Sequence, residues 1–510
     1  MAELPFFAGE RGRAHILVIL FFISVSVVTV WGTWEATLPG SDEAVLAETG
    51  REILATGDLV TMHFDGAPVH DTPPLVPWLL ALLYAAFGAN EFTARFTFVL
   101  LSVLTFYLVY LAGKKASRDR DDACQSAFGS LATGLGFLSC IFLASSPFFG
   151  RFAPHVTLGV PFAFFASMAF LGWLSTPCGP AGAILWGVGI AGAVLSFGAG
   201  GFLLILGAAV SSAANRERRA AWRSPEFLAA TIVGAAAGCF WLIPETVRSG
   251  QGLMQNPLWA PLAGIVHPSG KSISSLLASA RNTLLGNLPW SIPAVLAAVR
   301  IVFHRGDRRR EAWVAGVDAD LLIFAGAIFF PLALSASSAA SSFVAALPFA
   351  AILSAREIAR WVKRSGHDVT KGIWTWNHVM TALFCLLMLL LVATPLHLRR
   401  VGVDPIEDVA RMANRLTPDG TRIGNYKQRY REQCARMLFY GNRSLEQPRS
   451  DADGVASALR ENPRMIFLSS MADVEALRRT EGFPVEIKVL YGSGNLALFG
   501  TAPLSPGGAP

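Results

Sequence analysis

Phe92-Thr93-Ala94-Arg95-Phe96-Thr97-Phe98-Val99-Leu100-Leu101-Ser102-Val103-Leu104-Thr105-Phe106-Tyr107-Leu108-Val109-Tyr110-Leu111-Ala112 is an apolar run, closed by Gly113-Lys114-Lys115. A run of that length crosses the roughly 30 Å of bilayer hydrocarbon as a helix, and the lysines mark its exit into water. Comparable runs occupy Ala14–Trp34, Ser126–Ser146, His155–Leu174, Ala181–Leu195, Ala199–Ala213, Phe227–Val247, Leu285–Phe303, Leu321–Ser335, Phe343–Ala355 extending toward Trp361, and Trp374–Thr394. They predict an all-α polytopic membrane bundle of about eleven spans. Composition agrees, since 53% of the 510 residues are hydrophobic and only 15% charged. That excludes an ordinary soluble globule, and the long runs exclude a barrel of short alternating strands. The six cysteines stand singly, with no C-x-x-C pair, so neither zinc nor a disulfide framework is indicated.

The net charge of +6 has a topological use. Bases gather in alternate loops: Arg11 and Arg13; Lys114, Lys115, Arg118 and Arg120; Arg216, Arg218, Arg219 and Arg223; Arg305, Arg308, Arg309 and Arg310; and Arg356, Arg360, Lys363, Arg364 and Lys371. The intervening loops hold far fewer, namely Arg51, Arg95, Arg151, Arg248, Lys271 and Arg281. The positive-inside rule therefore predicts a cytoplasmic amino terminus, with the segment after Arg399 outside. Residues 1–398 form the membrane domain, 399–502 a small α/β periplasmic domain, and 503–510 a flexible Pro/Gly tail.

The outer loop 35–91 is acidic, with Glu35, Asp42, Glu43, Glu48, Glu52, Asp58, Asp65 and Asp71 against Arg51 alone. Ser41 suits a helix N-cap, Asp42 and Glu43 suit the first turn, and Gly57 suits the stop. Val45, Leu46, Ile53 and Leu54 are expected to face lipid while Glu48, Arg51 and Glu52 face water. Leu75 to Phe87 is too short to cross and opens on Pro73-Pro74, so it is expected as a second interfacial helix.

This opening resembles the aminoarabinose transferase and protein O-mannosyltransferase superfamily, the C-type glycosyltransferases. The likeness rests on Asp42-Glu43, Thr56-Gly57-Asp58, Pro73-Pro74-Leu75 with Trp78, Phe87-Gly88, Ala94-Arg95-Phe96 and, later, Leu288-Pro289-Trp290. It implies a polytopic enzyme that moves a sugar from a polyprenyl-phosphate donor to an outer acceptor such as lipid A, another glycolipid, a polysaccharide or a protein. Asp42 then matches the family's catalytic acid, with Glu43 beside it. The chain departs from the pattern where Thr72 replaces a lysine and where His155 stands near an expected aspartate. The basic half of the site is accordingly sought in Arg95, Arg151, His155, Arg248, Lys271 and Arg281, as contacts to the donor phosphate. His70, Asp71 and Trp78 are the substrate-loop candidates. His70 and Asp71 with Asp42 also carry donor types for a divalent cation, though spacing assigns no ligand set. Nothing suggests nucleic acid. A lipid-linked sugar flippase or a non-catalytic carrier-binding scaffold is the alternative reading.

Overall fold

The computed structural model describes residues 23, 26, 38, 41–117, 128–175, 179–215, 218–250, 259, 272–303, 316–334, 340–364, 375, 405–418, 420–480, 483 and 485–501. The expected spans Ala14–Trp34 and Trp374–Thr394, the residue Lys271 and the tail 503–510 lie outside these, apart from single positions in each span. Contacts divide the chain into two compact units. One comprises Met1–Thr33, His70–Leu79 and Arg95–Thr394, the other Trp34–Val69, Leu80–Ala94 and Pro395–Pro510.

In chain order the described elements begin with α1 (Ser41–Thr56), β1 (Met62–Phe64), β2 (Ala67–Val69), α2 (Leu75–Phe87), α3 (Glu91–Ala116) and α4 (Phe128–Ala144). They continue with α5 (Pro147–Phe152), α6 (Gly159–Ser175), α7 (Pro180–Phe197), α8 (Leu203–Ala214), α9 (Pro225–Arg248), α10 (Ser272–Gly286), α11 (Ser291–Phe303), α12 (Val317–Leu334) and α13 (Leu347–Arg364). Among the described residues five helical stretches are long and apolar enough to cross a membrane: Glu91–Ala116, Pro180–Ala214, Pro225–Arg248, Val317–Leu334 and Ala340–Val362. The last takes in the 3-10 turn Ala340–Ala346 ahead of α13. The run expected from Leu285 to Phe303 is broken, because α10 ends at Gly286 and α11 starts only at Ser291, after a cis Leu288–Pro289 bond. His155 precedes α6 by four residues instead of opening the helix.

Small residues bring three of these helices together. A Cβ on Gly234 of α9 would meet the Gly187 carbonyl oxygen of α7 at 2.4 Å, so that crossing admits only glycine. Beside it Trp173, Trp186, Phe227 and Phe324 form an aromatic core, and the Trp186 indole N–H donates to Thr231 Oγ1 at 2.8 Å. Between α7 and α8 the chain reverses at Gly198, whose φ of 62° favours glycine.

One end of this unit is ionic. Asp318 is held by Arg356 Nε at 2.5 Å, by Arg300 Nη2 at 3.3 Å and by Arg360. Glu357 takes Arg300 at 3.0 Å and Arg360 at 2.9 Å. Asp320 pairs with Arg218 at 2.7 Å and accepts from Ser211 Oγ. Arg356 also donates to the Ala116 carbonyl, Arg218 to that of Trp173, and Lys115 Nζ to Ser175 Oγ at 2.8 Å. The C-terminal ends of α3, α6, α8 and α11 thus gather with the N-terminus of α12 and with α13. The basic loops after α3, α8, α11 and α13 consequently share one side of the bundle, as their charge pattern requires.

In the second unit α14 (Pro405–Leu416), α15 (Tyr430–Gly441), α16 (Ala452–Glu461) and α17 (Met471–Arg478) accompany a four-stranded sheet. Its strands are β3 (Gly424–Asn425), β4 (Phe467–Ser470), β5 (Lys488–Ser493) and β6 (Leu496–Gly500), ordered β3-β4-β6-β5 with β3 parallel to β4 and the other pairs antiparallel. Val455, Leu459, Phe467, Val474, Leu477, Ala497 and Phe499 form its core. Asp451 and Ser470 cap α16 and α17.

Candidate active site

The acidic helix forms where its signals place it. Asp42 and Glu43 occupy the first turn of α1, and Gly57, at φ 69°, returns its N–H to the Ile53 carbonyl at 2.8 Å. Asp42 is exposed, while Glu43 is only 4% exposed. The expected lipid face is corrected: Val45, Leu46 and Ile53 are buried inside the protein, where α1 packs on α15, and of that set Leu54 alone stays exposed. Glu48, expected to face water, is 1% exposed. Arg51 grips it with Nε at 2.9 Å and Nη2 at 2.7 Å, and reaches Asn442 Oδ1 at 3.1 Å with Nη1. Burial raises the Glu48 pKa, with Arg51 opposing it. The Tyr84 hydroxyl is buried without a hydrogen-bond partner, and burial, with Glu48 and Glu43 nearby, pushes its pKa up.

The β1–β2 turn is tied on both sides. Glu52 Oε1 accepts the Asp65 N–H at 2.5 Å, and Asp65 Oδ2 accepts from Tyr430 Oη and Ser444 Oγ at 2.8 Å each. The Tyr440 hydroxyl accepts the Leu38 N–H at 2.8 Å. The segments Trp34–Val69 and Leu80–Ala94 thus fold with the C-terminal segment as one compact unit.

The remaining candidates belong to the other unit. His70 Nδ1 lies 2.5 Å from Glu245 Oε1, with side-chain exposures of 23% and 1%. Asp71 accepts the Thr72 hydroxyl at 2.9 Å, and Thr72, Pro73 and Pro74 are buried ahead of α2, in which Trp78 is half-buried. Glu245 sits in the last turn of α9 with Arg248, which is exposed. Next to Glu245, Thr246 Oγ1 accepts the Trp259 indole N–H at 3.0 Å, and that ring stacks on Phe202. Arg95 is fully buried in α3. His155 is half-buried in the turn after α5. Arg151 is exposed, its guanidinium over the Phe152 ring at 5.6 Å, and Arg281 is exposed and bonded to Asn282 at 3.4 Å.

Glu245 escaped sequence reasoning because it is embedded in an apolar helix, 175 residues from its partner. Its sequence signal is an acid inside a span, which a membrane interior tolerates only with a partner. Among the described residues no three His, Cys, Asp or Glu side chains are placed to hold a metal ion.

No family model matches the chain. An undecaprenyl phosphate-alpha-4-amino-4-deoxy-L-arabinose arabinosyl transferase from Pseudomonas savastanoi is 34% identical over 118 residues, 23% of this chain and 21% of that enzyme. An uncharacterised Aquifex aeolicus protein is 30% identical over 193 residues, 38% of this chain and 34% of that protein. The chain therefore spans about a third or less of these curated relatives. In fold the likeness is far wider. The crystal structure of ArnT from Cupriavidus metallidurans bound to undecaprenyl phosphate superposes with a TM-score of 0.66 at 16% identity, covering 97% of this chain and 99% of that one. The Archaeoglobus fulgidus oligosaccharyltransferase follows at 0.51 and 14% identity, covering 91% and 69%. By fold over almost its whole length and by sequence over part of it, the chain resembles the aminoarabinose transferases, and it shares the fold of ArnT from Cupriavidus metallidurans.

Proposed function

We propose that this protein is an inner-membrane glycosyltransferase that moves a sugar from a polyprenyl-phosphate donor to an acceptor at the periplasmic face. Lipid A, another glycolipid, a polysaccharide or a protein is the acceptor class. The observation that carries this reading is the whole-length fold likeness to ArnT, solved with undecaprenyl phosphate, combined with the Asp42-Glu43 pair at the mouth of α1.

Transfer breaks the bond between the anomeric carbon and the phosphate oxygen, which departs with the bonding electrons, and forms a bond to the acceptor oxygen with inversion. The acceptor hydroxyl proton goes to Asp42, which is exposed in the first turn of α1. Glu43 adds negative charge behind it. Cationic side chains balance the departing phosphate, for which Arg95, Arg151, His155, Arg248, Lys271 and Arg281 are the candidates. Orientation follows the basic loops, with the amino terminus cytoplasmic and the segment after Arg399 periplasmic. Chelation of the purified protein tests whether transfer depends on a divalent cation.

The deciding experiment incubates purified protein with labelled undecaprenyl-phosphate sugar and envelope lipids. Wild type transfers label, and Asp42→Asn loses about 10²- to 10⁴-fold in rate. Equal rates in the two proteins refute the assignment of Asp42. Donor crossing vesicles without transfer identifies a flippase, and carrier binding without transfer from any donor identifies a scaffold.

A further inference from the structure

We propose that the His70–Glu245 pair is a phosphate contact for the polyprenyl carrier, with His70 Nε2 as the donor. The inference rests on the glycosyl-transfer reading and adds two residues to its phosphate side. Glu245 is shut away from solvent at 1% exposure and meets His70 Nδ1 at 2.5 Å. A carboxylate only accepts, so the proton of that bond sits on Nδ1 and the ring is fixed in orientation. Among the described residues Nε2 has no hydrogen-bond partner, and His70 keeps 23% of its side-chain surface open. The pair therefore presents one aimed and unused ring nitrogen to whatever enters. With a proton on Nε2 the ring donates outward while the buried carboxylate balances its charge.

The surroundings fit a lipid phosphate. Arg248 follows Glu245 by one turn on α9 and is exposed, which adds a cation on the same helix. The adjacent residue Thr246 anchors Trp259, an amphipathic ring stacked on Phe202, of the kind found where acyl or prenyl chains meet polar headgroups. Thr72, Pro73 and Pro74 are buried just beyond His70, and the fixed proline torsions stiffen the segment that carries it. No lysine stands at Thr72, and His70 provides a donor two residues earlier. In the transfer step Nε2–H stays on the ring. It hydrogen-bonds the oxygen that leaves the anomeric carbon.

Binding separates this inference from the wider reading, because no transfer is needed. Full-length protein in detergent, with EDTA present, is titrated with undecaprenyl phosphate and, separately, with undecaprenol, which has the chain but no phosphate. The expected result is that His70→Ala weakens the phosphate ligand about tenfold or more, as for loss of a charge-assisted hydrogen bond, and leaves undecaprenol unchanged. Glu245→Gln weakens the same ligand, and His70→Lys restores much of it. Equal undecaprenyl phosphate affinity in wild type and His70→Ala overturns the phosphate contact alone. Equal losses for both ligands, or a wild-type affinity abolished by EDTA, also overturn it. A wild type that binds no undecaprenyl phosphate overturns the glycosyl-transfer reading itself. Thermal melting of each variant identifies any that has merely unfolded.

Discussion

Tyr430 donates its phenolic hydrogen to Asp65 at 2.8 Å, a bond that joins residues 365 apart in sequence. Ser444 Oγ shares the same carboxylate oxygen, and Asp65 itself sits in the left-handed region at φ 55°. The turn, α1 and the C-terminal helices are thereby fixed to one another inside a single compact unit. Asp65→Asn keeps the left-handed preference but loses the charge that strengthens both bonds, at a cost of about 1–3 kcal/mol. Hydrogen exchange is expected to speed up in residues 41–69 and 430–445 together, while the helices α6 to α9 stay protected. Faster exchange in the turn alone would show that the C-terminal segment does not hold the loop.

Glu48 yields a pH prediction. Burial, the largest effect, lifts its carboxyl above the ordinary 4.5, against the pull of Arg51. A raised folded pKa contributes stability that is full below about 4.5 and is lost as pH rises through the raised value. Above pH 4.5 the wild-type unit should therefore lose stability through this group as pH rises. Glu48→Gln removes the titration and should flatten that fall in melting temperature. An identical slope in both proteins would mean that another group governs the pH response.

Cys434 is buried, and its thiol is pushed up to about 12, chiefly by desolvation, while it accepts the Leu445 N–H at 3.5 Å. Thiolate is the nucleophile, so at pH 8 maleimide should leave Cys434 unmodified in native protein and label it only after denaturation. Prompt native labelling, read by peptide mass spectrometry, would show that the α1–α15 packing opens readily.

How much of this was legible in sequence depends on the range of the interaction. The Gly57 stop, the Leu75–Phe87 helix and the helices α3, α4 and α6 to α9 are set by local periodicity, caps and charge, and they stand within a few residues of expectation. The apolar stripe of α1 was equally legible, but its partner was not. Period says that Val45, Leu46 and Ile53 share a face and leaves open whether lipid or α15 covers it. Glu48 is invisible for the same reason, since its burial depends on Arg51, Tyr84 and a helix near residue 440. The His70–Glu245 pair is the extreme case, because neither residue carries a motif and only the folded bundle brings them together. Of the six bases sought for the phosphate, Arg151, Arg248 and Arg281 are exposed, which sequence could not distinguish from the buried Arg95.

Asp318 meets Arg300, Arg356 and Arg360, and each guanidinium is mostly buried. Taking one partner from a buried ionic cluster leaves uncompensated charge and typically costs about 3–5 kcal/mol. Asp318→Ala should lower the melting temperature in detergent far more than Asp473→Ala, whose carboxylate is partly exposed and 3.7 Å from an exposed Lys427. Asp318→Asn should fall between them, because its oxygen still accepts one hydrogen bond. Equal effects at Asp318 and Asp473 would show that the arginines find solvent when their partner is gone.

The same cluster makes the orientation testable without any substrate. Ala116, Trp173, Ser211, Arg300 and Asp318 are joined at one end of the bundle, so the loops that follow α3, α8 and α11 must lie on one side. The positive-inside rule predicts that side to be cytoplasmic. Alkaline phosphatase matures only outside the cytoplasm, so fusions after Lys115, Arg223 and Arg364 should be inactive. A fusion after Pro510 should be active. Activity at Lys115 with inactivity at Pro510 would invert the whole assignment and move Asp42 to the cytoplasmic face, where a periplasmic acceptor is out of reach. Activity that differs between Lys115 and Arg223 would contradict the ion pairs themselves, since no membrane runs between ends that share hydrogen bonds.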